Sequence, residues 1–195
     1  MHLLLATSNK GKVQEMREAL DGLGLTLLDL SQVPTVGSPG ETGSTFEENA
    51  EQKARHYFEA TEHSVVADDS GIHIDALEGE LGIHTRRWGA GPEANDQEWI
   101  EYFLQRMKKE KNKRAQFVCA IAHIDRDGEL HMFHGTCDGE ITDTLEAEYL
   151  PGLPISACFK PRGYDSVFSA LSIDQKNSTS HRGRALVQLR DFLQK

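Results

Sequence analysis

No stretch of this chain approaches the ~18–20 consecutive apolar residues of a membrane span. Its opening, MHLLLATSNKGK, has neither the basic leader nor the long apolar segment of a secretory signal. Cysteine is scarce: Cys119, Cys137 and Cys158 show no CxxC spacing and, being three, cannot all pair with one another. That excludes a disulfide framework and reads as buried thiols in a reducing compartment. Positive charge is also in short supply. There are 21 Lys and Arg against 31 Asp and Glu, a net charge of −10. Such a surface will not coat a nucleic acid polymer or an anionic membrane non-specifically. The nine histidines have no zinc-site spacing, and no nucleophile elbow is present. What remains is a soluble, cytoplasmic chain of 195 residues, expected to form a single domain over residues 1–195.

Periodicity gives an alternating pattern. Residues 2–6, HLLLA, read as a buried strand. The polar TSNKGK follows, and Val13, Met16, Leu20 and Leu23 then recur at helical spacing until Gly22 and Gly24 supply a stop. Leu25–Leu30 reads as a second strand, and 33–44, rich in Pro and Gly, as a loop. Ser44 with Glu47, or Thr45 with Glu48, has capping-box spacing for a helix to about residue 62. Val65 and Val66 begin a strand that is expected to end at Asp68 and Asp69. Residues 78–95 read as a Gly-rich, charged loop. Ile100, Phe103, Leu104 and Met107 mark an amphipathic helix, closed by the basic run Lys108 to Arg114. Residues 116–124 and 129–137 form a hairpin about Asp125–Gly128; 151–168 is loop-rich; 180–193 is a closing helix. Strands alternating with helices imply an α/β fold.

Three constellations carry chemistry. Between a strand and a helix, Thr7, Ser8, Asn9, Lys10, Gly11 and Lys12 suit a phosphate, which helix N-termini attract. The spacing is not that of a Walker A loop. Glu41 with Asp68 and Asp69 forms a set of oxygen ligands of the kind Mg²⁺ uses, beside which a carboxylate can activate water. Lys176 with Ser180, His181 and Arg182 places positive charge in the first turn of the last helix. There it opposes the helix dipole unless an anionic or hydrogen-bonding partner is present.

In this order the constellations resemble the inosine/xanthosine triphosphate pyrophosphatase family (ITPase-like, dITP/XTP pyrophosphatases). The matching stretches are LLLATSNKGKVQEM, GETGSTFEENAEQKAR, VVADDSGIHIDAL and KNSTSHRGRAL. The resemblance implies an elongated two-lobed α/β fold around a long, mixed, twisted sheet with a central cleft, usually as a homodimer. It implies Mg²⁺-dependent hydrolysis of deaminated purine triphosphates such as ITP, dITP and XTP to monophosphate and pyrophosphate, which cleanses the nucleotide pool. Carried over, TSNKGK would hold the triphosphate, and Glu41 and Asp69 the Mg²⁺, with Asp68 a further candidate ligand. Asp69 would also be the general base. Ser70, Lys53 and Arg87 would touch substrate, and Lys176, His181 and Arg182 its sugar and base end.

One segment departs from the family pattern. Where GFGYDPIF or GFGWDPCF brings an aromatic and an aspartate to the base, this chain has GLPISACF, residues 152–159. Ile155 and Ser156 then stand at those two positions. The alternative, Gly163-Tyr164-Asp165 as a displaced motif, needs an insertion and a matching deletion. The substitution predicts an altered or relaxed base preference with pyrophosphohydrolysis intact. A pyrophosphatase for another modified nucleotide, or a nucleotide-binding module without hydrolysis, are the alternatives.

Overall fold

A computed structural model describes residues 2–91 and 93–195. Its mixed sheet is built from β1 (His2–Leu5), β2 (Thr26–Asp29), β3 (Ser64–Ile74), β4 (Arg114–Ile124), β5 (Leu130–Ile141) and β6 (Phe159–Pro161). Their order is β2-β1-β3-β4-β5-β6. β1 pairs parallel with β2 and β3, and the remaining pairs are antiparallel.

The split next to β3 makes the cleft. β1 accompanies β3 only as far as Leu5 opposite Val66. There the chain leaves for TSNKGK and helix α1 (Lys10–Ala19), while β3 continues against β4 to Ile74. The expectation that β3 ends at Asp68-Asp69 is corrected: those residues sit in mid-strand, opposite Ile121 and Ala120. They do lie just past the end of the parallel pairing, where β3 has lost its neighbour on one side. This is the position at which open α/β sheets bind ligands.

Alternation along β3 assigns the two faces. Val65 and Ala67 pack with Ala120 and Ala122 under helix α2 (Phe46–Thr61), through Ala50, Ala54 and Tyr57. Val66, with Cys119 and Ile121, packs on the other face. There α1 contributes Met16 and Leu20, and the closing helix contributes Ala185, Leu186 and Leu189. The distal halves of β3, β4 and β5 carry a third core. It holds Ile72, Ile74, Phe117, Ile141 and Phe159 together with Trp99, Ile100, Phe103 and Met107 of helix α3 (Asp96–Met107). Two lobes thus share three long strands, as the resemblance implied.

Thr45, not Ser44, is the N-cap of α2: its side chain accepts from Glu48 N at 3.1 Å, and the Glu48 carboxylate accepts from Ser44 N at 2.6 Å. The short helix α4 (Ile173–Thr179) carried no apolar stripe in the sequence. Its Ser172–Gln175 capping box was the available signal. Helix α5 (His181–Leu193) begins after its cap, Ser180, as expected.

Candidate active site

A cleft of ≈ 700 Å³ opens between the lobes. Thr7, Ser8, Asn9, Lys10, Lys12, Glu41, Lys53, Asp69, Ser70, Arg87, Ile155, Ser156, Lys176, His181 and Arg182 all line it, so sequence positions up to 175 apart converge. Gly11 and Asp68 do not line it, and both expectations need correction.

Gly11 is a packing glycine. Its N–H donates to Pro151 O at 3.1 Å, and a Cβ there would meet Pro151 O and Leu153 Cδ1 at 2.8 Å. Asn9 caps α1 by accepting from Lys12 N at 3.1 Å, and its amide donates to Gly152 O at 2.9 Å. The amides of Gly11 and Lys12 are therefore already engaged. What this loop offers a phosphate is the exposed Ser8 and Lys10 and the Lys12 ammonium.

Asp68 and Asp69 are neighbours in sequence and opposites in space, because successive strand side chains leave opposite faces. Asp68 points beneath the cleft floor, with a fully buried side chain. Lys12 Nζ lies 3.0 Å and Arg182 Nε 3.2 Å from its Oδ2. Burial alone would raise its pKa, but Lys12, Arg182 and Lys53 outweigh it and hold the carboxyl far below the ordinary range. Asp68 is thus an anchor for two cations rather than a cleft-facing ligand.

Asp69 faces α2 and the cleft. Asn49 donates to its Oδ2 at 3.1 Å, and Lys53 Nζ sits 3.1 Å from its Oδ1. Burial pushes this carboxyl above its usual value, against the pull of Lys53 and Lys12 and with Glu41 adding to the rise. Glu41 approaches the same lysine at 3.1 Å and Arg87 at 2.6 Å. For Glu41, burial raises and the two cations lower, with a net fall.

At the other end Arg182, itself buried, also meets Glu15 at 2.5 Å and donates to Ser70 Oγ at 2.9 Å. Lys176 Nζ meets Glu15 at 2.9 Å. This answers the charge placed against the α5 dipole: its partners are Glu15 and Asp68. The His181 ring lies parallel to Phe117, centroids 4.5 Å apart. Burial first, then Arg182, drives its pKa well below 6.5, so it is neutral at pH 7. Ile155 is mostly buried in the distal core, and the Ser156 hydroxyl donates to Leu153 O at 2.6 Å. The proton of Ser156 is therefore engaged, and the residue lines the cleft. Ile155 lines it too, whereas Tyr164 lies outside it, its hydroxyl 2.8 Å from Thr179 Oγ1.

Two cleft groups, Glu15 and Arg86, and one buried partner of Asp69, Asn49, escaped sequence reasoning. Glu15 stands one helical turn after Lys12 on the same face, a spacing that could have revealed it. Asn49, fully buried, reads in sequence as one more polar helix residue and gave no signal. Arg86 lines the cleft beside Arg87 and donates to Ala94 O at 2.7 Å.

The donor chemistry fits a hard divalent cation. Glu41 and Asp69 converge on one cationic point, now taken by Lys53 Nζ, and two carboxylates with phosphate and water oxygens are what Mg²⁺ accepts. Among the described residues, no three His, Cys, Asp or Glu side chains form an all-protein cage.

The chain is thus an α/β protein with a cation-lined cleft at a sheet switch point, converging carboxylates at one end and aromatic rings at the other, a charge pattern that suits an anionic ligand. The sequence model of the Ham1 family matches residues 3–192, and the chain belongs to that family. It is 38% identical to a dITP/XTP pyrophosphatase of Leptospira interrogans over 98% of this chain and 96% of that one. It is 39% identical to a dITP/XTP pyrophosphatase of Halalkalibacterium halodurans over 97% of each. The structure of the Staphylococcus aureus Ham1 protein superposes with a TM-score of 0.81 at 35% identity, covering 99% of this chain and 98% of that one.

Proposed function

We propose that this protein hydrolyses nucleoside triphosphates, deaminated purines foremost, to nucleoside monophosphate and pyrophosphate, with Mg²⁺ as cofactor. The observation that carries this reading is the convergence of Asp69, Glu41 and Lys53 opposite the Ser8–Lys12 loop in one cleft. The relatives' names, dITP/XTP pyrophosphatase, support the substrate class.

Lys10, Lys12 and Ser8 bind phosphate oxygens, and Lys53 and Arg87 add positive charge from the α2 side. Glu41 and Asp69 would hold Mg²⁺, which supplies charge neutralisation at the phosphoryl oxygens. Asp69 accepts a proton from the water that attacks the α-phosphorus. Burial raises its pKa above the ordinary carboxylate value, which makes it a stronger base. The departing pyrophosphate is stabilised by the lysines. Lys176, His181, Ser156 and Ile155 face the base and sugar, and the phenyl rings of Phe117 and Phe168 wall the same end.

The chain acts as a single domain of two lobes, since β3, β4 and β5 run through both. A homodimer in the cytoplasm is the assembly we assign. The three cysteines are all free and buried, which suits a reducing compartment. Among the described residues no helix is long and apolar enough to cross a membrane.

Incubation with Mg²⁺ and a panel of ITP, XTP, GTP and ATP tests the reading. Release of pyrophosphate with monophosphate, most efficient for ITP or XTP, is expected. Binding without any product would replace the enzyme with a nucleotide-binding module.

A further inference from the structure

Four charged groups meet at the α2 side of the cleft. Lys53 Nζ lies 3.1 Å from both Glu41 Oε1 and Asp69 Oδ1. Arg87 takes the other oxygen of Glu41 at 2.6 Å, and Asn49 the other oxygen of Asp69 at 3.1 Å. Both oxygens of both carboxylates therefore have partners already. Two carboxylates against two cations leave the cluster neutral. A bare divalent ion would bring a double positive charge against the Lys53 ammonium, which is only 14% exposed. At such distances and in such burial, like charges repel strongly. A polyphosphate reverses the balance: it gives the lysine and the arginine a new anion and frees the carboxylate oxygens.

We propose that Lys53 is a resident counter-cation that keeps a bare divalent ion off Glu41 and Asp69, so that the metal is admitted only together with the polyphosphate. The proposal rests on the metal-dependent triphosphate hydrolysis put forward above. Lys53 is then a gating and positioning residue for the metal as well as a phosphate ligand. Arg87, whose side chain is 45% exposed, contributes less to the exclusion.

The test titrates the intact protein with Mn²⁺ alone and follows the free-ion signal by electron paramagnetic resonance. Wild type should bind Mn²⁺ weakly. Lys53→Met and Lys53→Gln should bind it at least about tenfold more tightly, because a cation at ion-pair distance moves a carboxylate's proton affinity by about one to three decades. Lys53→Arg should restore the exclusion. A gain of metal affinity is not what general structural damage produces. Equal or weaker Mn²⁺ binding by folded Met and Gln variants would overturn the proposal.

Where those variants fail a circular dichroism check, wild type decides. Mn²⁺ bound as tightly by the protein alone as with the α,β-methylene analogue of ITP overturns the proposal; a ternary complex that holds Mn²⁺ much more tightly than either the protein alone or the analogue alone supports it. None of these titrations needs turnover. Failure of the functional reading shows separately, as wild type releasing no pyrophosphate from any triphosphate with Mg²⁺.

Discussion

Asp68 and Asp69 divide two tasks that one kind of side chain can perform. Asp69 meets the cleft and is the proposed base; replacing it with Asn should cut turnover by about 10²–10⁴, the usual worth of general base catalysis, or more if metal binding fails too. The fold and nucleotide binding should survive, checked by circular dichroism and calorimetry. Asp68 holds Lys12 and Arg182 from below. Asp68→Asn breaks buried pairs on one side only, a change that costs about 3–5 kcal/mol. Its folded pKa is depressed below an unfolded value of about 3.9. The stability it contributes is therefore fully present above about pH 4 and is lost as pH falls below that. The gap between wild type and Asp68→Asn in urea denaturation should shrink through this window. An unchanged gap down to pH 2 would mean that the carboxylate is not the anchor. The sequence exposed both aspartates but not their division, because adjacency says nothing of face until the strand is known to run through them.

At the level of elements, the close approach of β5 to α5 sets the His181 end of the cleft. A Cβ on Gly135 would come within 2.0 Å of His181 O, a backbone atom that cannot step aside. Gly135→Ala should displace the first turn of α5, costing about 1–3 kcal/mol and raising KM through His181 and Arg182. Thermal denaturation with steady-state kinetics checks both. The turn Pro154–Ala157 makes the other wall. Ile155 is drawn into the distal core and the proton of Ser156 is engaged by Leu153 O. The double variant Ile155→Tyr with Ser156→Asp should therefore sharpen the preference for ITP over GTP, read as a ratio of kcat/KM. An unchanged ratio would place base selection elsewhere. Strands, long helices and the α2 cap were legible because apolar period and capping chemistry are local. Gly11 was misassigned because its contact, the 151–153 loop, is remote in sequence. Helix α4 was missed because a polar seven-residue helix leaves no stripe.

Taken whole, the molecule reconciles a net charge of −10 with an anionic ligand by gathering Lys10, Lys12, Lys53, Arg87, Lys176 and Arg182 around one cleft. Three strands cross both lobes, so the single-domain account predicts one cooperative unfolding transition, with far-ultraviolet dichroism and tryptophan fluorescence coinciding. Trp88 and Trp99 both report the distal lobe, and separate midpoints would divide the chain in two. The order of motifs made the cleft's membership legible, yet the buried ties through Glu15 and Asn49 exist only once the chain is folded. The central claim is water attack at the α-phosphorus by way of Asp69. Hydrolysis of ITP with Mg²⁺ in ¹⁸O-water, read by ³¹P nuclear magnetic resonance, tests it most directly. The account predicts unlabelled pyrophosphate and one ¹⁸O in the monophosphate. Label in the pyrophosphate, or release of inorganic phosphate and diphosphonucleoside, would contradict it.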